Sequence, residues 1–148
     1  MSTDQKVTKD LIQTLEDGTR GFASAADRLD GDDRADLAGR FRSMSTERGE
    51  FAAELNTLAV TYGDDIDESG SVAAAAHRGW MAVKDTLAGS DPDGVIDAAE
   101  QGEKHAVSEF RKALDQDISP DLRVVVERQF ASVQAAHDEV GRLKAGRS

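Results

Sequence analysis

The chain is 148 residues long, contains no cysteine, and carries 29 Asp and Glu against 18 Lys and Arg, for a net charge of -11. That length suits a single domain with a continuous core, here 1–148. The missing cysteines exclude disulfides, thiolate catalysis and Cys-ligated zinc or iron–sulfur centres, and the acidity opposes contact with nucleic-acid phosphates or anionic lipid.

The opening residues Met1-Ser2-Thr3-Asp4-Gln5-Lys6 lack the apolar stretch of a signal peptide. No later run approaches the roughly 20 apolar residues of a membrane span, so a cytoplasmic protein with no membrane partner is expected. From about Thr3 to Leu29 the residues Val7, Leu11, Leu15, Gly18, Phe22, Ala25 and Leu29 recur at spacings of four and three, which predicts one amphipathic helix. A second helix is predicted from about Asp33 to Tyr62, where Leu37, Phe41, Met44, Phe51, Leu55 and Leu58 form a heptad-like seam broken once, by Arg48. The acidic stretch from Gly63 to Gly70 reads as a solvated loop, because it lacks the alternating ligands and closing glutamate of an EF-hand. A shorter helix over 71–87 carries Val72, Ala76, Trp80, Val83 and Leu87 on one side, with His77 beside the indole. Trp80 is read as a packing anchor.

The fourth helix, over 92–114, places Ile96, Ala99, Ala106 and Phe110 on one stripe. The fifth, over 120–144, places Leu122, Val126, Gln129, Val133, Ala136, Val140 and Leu143 likewise. Pro92 behind Ser90-Asp91, and Pro120 behind Ser119, are expected at the first helical position, where the missing N–H costs nothing. Gly31, Gly63 and Gly89 are expected to end helices in the left-handed conformation. Gly18, Gly21, Gly49 and Gly102, inside helices, point to close helix contacts. No segment alternates as a strand would.

Four of the five helices are long and of similar length, and one is short. An all-α four-helix bundle follows, with 71–87 as a helical crossover between the second and third bundle helices, which then run parallel. One long crossover is the ferritin-like arrangement; an up-down bundle has three short loops.

Polar residues on the apolar seams are the informative ones. Glu103 falls on the stripe of Ile96, Ala99, Ala106 and Phe110; Glu100 lies on the neighbouring stripe; His137 lies with Phe130, Val133 and Val140. An inward carboxylate needs a cation, a metal or a proton. Arg48 is the simplest partner for Glu103, as a structural ion pair across the core. The other solution is a metal site that combines Glu103 and His137 with Glu16 and one of Glu47, Glu50 or Glu54, with iron or manganese as the cofactor. Di-iron bundles need a Glu-x-x-His on each of two helices so that both ligands point inward. This chain has no such motif: Gln134-x-x-His137 offers an amide in place of the carboxylate, and Glu47-x-x-Glu50 offers no imidazole. His105, next to Lys104, is expected to be solvated, and no catalytic triad or phosphate-binding glycine loop is present.

The succession Leu15-Glu16-Asp17-Gly18, Gly21-Phe22, Phe51-Ala52-Ala53-Glu54-Leu55, Gly70-Ser71-Val72, His77-Arg78-Gly79-Trp80, Gly102-Glu103, Glu127-Arg128-Gln129 and His137-Asp138 resembles a bacterial ferritin-like four-helix-bundle family catalogued as domain of unknown function 2383. The resemblance runs through nearly the whole chain, and His-Arg-Gly-Trp is its most specific element. It implies the fold rather than an activity. Set beside the rubrerythrin side of the ferritin-like group, Gly102-Glu103 is similar to the Gly-Glu of a ligand helix and His137 to the histidine of a Glu-x-x-His helix. The first helix has Gly18-Thr19 where Gly-Glu would stand.

Three functions are in play. The first is a non-enzymatic ferritin-like bundle, tied to stress response or metal handling by resemblance alone, in which Arg48, Glu103 and His137 are structural or vestigial. The second is a redox metalloprotein that uses Glu16, Glu50, Glu103 and His137 to hold a divalent metal ion. The third is an interaction module that forms a homo-oligomer through the crossover face.

Overall fold

The computed structural model describes residues 3–31, 34–60 and 91–146, and these form four helices: α1 Thr3–Gly31, α2 Ala35–Val60, α3 Pro92–Leu114 and α4 Pro120–Gly146. The all-α expectation holds, with helix bounds within about two residues of those read from periodicity. The crossover helix over 71–87, with His77 and Trp80, and the acidic loop before it lie outside the described residues. None of the described helices is long and apolar enough to cross a membrane.

The helix starts follow local chemistry. Asp91 caps α3, its Oδ1 accepting from the Gly94 N–H at 2.9 Å, with Pro92 in the first turn. Ser119 caps α4, its Oγ accepting from the Leu122 N–H at 3.3 Å ahead of Pro120. The Ser119 N–H in turn donates to Asp4 Oδ1 at 2.9 Å, which ties the start of α4 to the start of α1. Gly31 departs from expectation. It is the last helical residue of α1 and does not take the left-handed conformation; the helix end is closed instead by the Arg34 N–H, which donates to the Leu29 carbonyl at 2.9 Å. Gly63 and Gly89 lie outside the described residues.

The buried side chains fall into two apolar clusters, and their membership fixes the direction of each helix. One gathers Leu11 and Leu15 from the first half of α1, Leu55 from the second half of α2, Phe110 from the second half of α3, and Leu122 and Val126 from the first half of α4. The other gathers Phe22 and Leu29, Leu37 and Phe41, Val95 and Ile96, and Val140, from the opposite half of each helix. So α1 and α4 run one way, and α2 and α3 run the other. Helix α1 packs on α2 and on α3, α4 packs on α3 and more loosely on α2, and every neighbouring pair is antiparallel. The parallel helices α2 and α3 sit on a diagonal. The chain leaves α2 at one end of the bundle and enters α3 at the other, a distance of roughly 40 Å at about 1.5 Å per residue.

Candidate functional site

Between the two apolar clusters the interior is charged. Arg48, near the middle of α2, and Glu103, near the middle of α3, are each 1% exposed, and Arg48 Nη2 donates to Glu103 Oε2 at 2.5 Å. The pair crosses the diagonal of the bundle and is the contact expected from the two broken seams. An arginine fits here because α1 presents a glycine to it: a Cβ on Gly18 would stand 3.2 Å from Arg48 Nη1 and 3.4 Å from its Cγ. One turn further, the Phe22 ring lies 5.3 Å from the guanidinium carbon, a cation–π contact. The same α1/α2 approach brings Ser45 Oγ to donate to the Thr19 carbonyl at 2.7 Å and sets Gly49 beside the Thr19 side chain.

The energetics of this layer are unfavourable to charge. Burial raises the pKa of Glu103 above the usual carboxylate value, and the opposing pull of Arg48 and, more weakly, His137 does not cancel it. Arg48 Nε is buried without a hydrogen-bond partner, so the guanidinium is only partly satisfied. Next to Gly18, Asp17 has a buried Oδ1 without a hydrogen bond. Burial pushes its pKa up to about 6, and Arg20, at 3.8 Å, together with His105 on α3, offsets only part of that.

Of the residues expected to hold metal, Glu103 is buried against Arg48, Glu16 is half-buried on α1, Glu50 is exposed on α2, and His137 is 34% exposed on α4 with Nδ1 at 3.9 Å from Asp138. Among the described residues no group of three or more His, Asp and Glu side chains is placed to hold a metal ion. Glu54 is taken up elsewhere: it pairs with Arg128 and accepts from Gln129 Nε2 at 2.8 Å, and with the Arg40–Glu139 pair at 2.8 Å it ties α2 to α4 where their packing is loosest. Glu100 accepts from Lys144 at 2.8 Å. His105 is exposed, as expected. Gly102 differs from expectation, since it is exposed and a Cβ there would meet nothing within 4 Å.

Sequence reasoning did not single out Asp17 as an inward charge, although it follows Thr14 and Asp10 at spacings of three and four and lies near enough to α3 to feel His105. It also missed a set of cations on α3: Lys104 and Arg111, seven residues apart and so on one face, with Lys112 on the flank beside them.

A family model described as Domain of unknown function (DUF2383) matches residues 5–116, a stretch that holds Asp17, Gly18, Arg48 and Glu103 and stops before α4 and His137. No curated protein and no solved structure matches the chain.

Proposed function

The chain belongs to the family of domain of unknown function 2383, and from that premise we propose a cytoplasmic, non-enzymatic ferritin-like bundle whose interior carries a fixed guanidinium at the level where metal-dependent bundles hold their ions. The observation that carries this reading is the Arg48–Glu103 pair at 2.5 Å, with both side chains 1% exposed. The diagonal, parallel placement of α2 and α3, joined end to end by one long connection, supports the ferritin-like assignment. A link to stress response or metal handling rests on resemblance alone.

Carboxylate-bridged metal bundles direct several glutamates and imidazoles at one point on the bundle axis. The donor set here does not fit such a centre. Among the described residues the one fully buried carboxylate, Glu103, is engaged by Arg48, and no three His, Asp or Glu side chains are grouped to hold a metal ion. A divalent ion brought to Glu103 would have to displace the guanidinium or sit beside it. At about 4 Å, and an effective dielectric near 20, that repulsion is about 8 kcal/mol.

Elemental analysis of protein purified without chelator tests the reading. The expected result is no stoichiometric iron or manganese, and no metal-dependent oxidase or peroxidase activity on adding either ion. Iron or manganese near one per chain, lost on Glu103→Ala, would overturn it.

A further inference from the structure

A half-open groove of about 690 Å³ runs along the outside of the α3/α4 seam, within the size range of small-molecule sites. Helix α3 lines it with Lys104, Ser108, Arg111 and Lys112, and α4 adds Gln134 and His137. In a chain of net charge -11 these cations are out of keeping with the surface around them. Their internal partners are weak: Lys104 lies 3.6 Å from Glu100 and Lys112 lies 3.3 Å from Glu109, both same-helix pairs with exposed ammonium groups. Arg111 is exposed and makes no ion pair or side-chain hydrogen bond among the described residues. Asp115 and Asp138 also line the groove, and Asp138 stands beside His137.

We infer that this groove binds a small, multiply charged oxyanion of the phosphate class. Arg111 has no ionic partner among the described residues and the two lysines have only weak same-helix ones, so the three repel one another across the groove, and a bound anion removes that cost. The donors are a guanidinium, two ammonium groups, a hydroxyl and an amide, spread over two helices. Together they suit a ligand with several acceptor oxygens better than a single carboxylate, which a lone arginine fork would satisfy. Size argues against a polymer: Lys104 and Arg111 are separated by only about 10 Å along the helix, and the chain's overall charge repels a long polyanion beyond that reach. A di- or triphosphate-sized anion matches both limits. The proposal is independent of the buried Arg48–Glu103 pair, which lies inside the bundle.

The test is a titration of the full chain with sodium tripolyphosphate at low ionic strength, followed by amide chemical shifts, with a short poly-glutamate peptide as a second arm. Saturating shifts confined to 104–112 and 134–138, weakened by added salt, are expected. The exposed double variant Lys104→Ala with Arg111→Ala should lose affinity by about tenfold or more, the effect of removing a charged hydrogen bond. A charge-matched control, Lys6→Ala with Arg34→Ala, should change it little. Failure to saturate in the millimolar range, equal loss in the control, or tighter binding of the peptide than of tripolyphosphate would each overturn the proposal. Circular dichroism of both double variants confirms that the helices are retained.

Discussion

At either end of the bundle the interior is leucine, valine, phenylalanine and alanine, whereas half-way along it is a guanidinium against a carboxylate. The ends gain free energy from removing apolar area from water, at about 25 cal/mol per Å². In the middle, two charges lose their hydration, and the attraction between them does not fully compensate, as the raised pKa of Glu103 indicates. Stability thus comes from the ends. The middle layer constrains which helices face each other and at what height, because a buried arginine displaced by one turn along α1 would meet Leu15 or Phe22 rather than Gly18.

The sharpest way to break this contrast is to unpair the middle. Arg48→Ala or Glu103→Ala alone leaves one uncompensated buried charge and should cost about 3–5 kcal/mol in chemical denaturation. The paired replacement Arg48→Met with Glu103→Leu should recover most of that loss. A double variant no better than the worse single would show that the layer stabilises the fold on its own account. At the ends, Leu55→Ala and Leu29→Ala should each cost about 2–5 kcal/mol through transfer and cavity terms, with no dependence on pH.

Asp17 sharpens the comparison through pH. Its carboxyl titrates near 3.8 when unfolded and at about 6 in the fold, so the protonated form is favoured in the native state. The stability this contributes is complete below about pH 4 and is lost as pH rises through about 6. Asp17→Asn should therefore stabilise the protein at neutral pH by on the order of 1 kcal/mol, discounted for its partial exposure. Near pH 4 it should have little effect. Equal effects at both pH values in thermal melts would contradict the half-buried carboxylate whose raised pKa Arg20 only partly offsets.

The smallest effects concern two helical glycines. Gly102→Ala, into open space, should stabilise by about 0.5–1 kcal/mol through helix propensity. Gly18→Ala gains the same propensity but sets a methyl 3.2 Å from a guanidinium held in place by Glu103, and should be net destabilising by about 1 kcal/mol. In the Arg48→Met background that penalty should shrink.

Much of the fold was legible along the chain because apolar periodicity, capping residues and prolines act locally. The seam of Leu11, Leu15 and Phe22 marks α1, and Asp91-Pro92 and Ser119-Pro120 mark the starts of α3 and α4. The Arg48–Glu103 pair was legible as well, since a charge on an apolar stripe must find its opposite and the only seam-breaking cation was Arg48. Asp17 was not. One carboxylate on a helix looks the same whether it faces water or a neighbouring helix, and the approach of α3 decides which.

By itself, then, the order of residues determined four amphipathic rods, their ends and two charges committed to the interior, because each depends on neighbours within a turn or two. Tertiary structure alone decided that α2 and α3 sit on a diagonal, that Gly18 and not Gly102 receives a partner's side chain, and that no three carboxylates and imidazoles of the described residues are grouped to hold a metal ion. Those outcomes depend on how whole helices rotate and slide against one another to bury their apolar faces, a global minimum that no local spacing encodes.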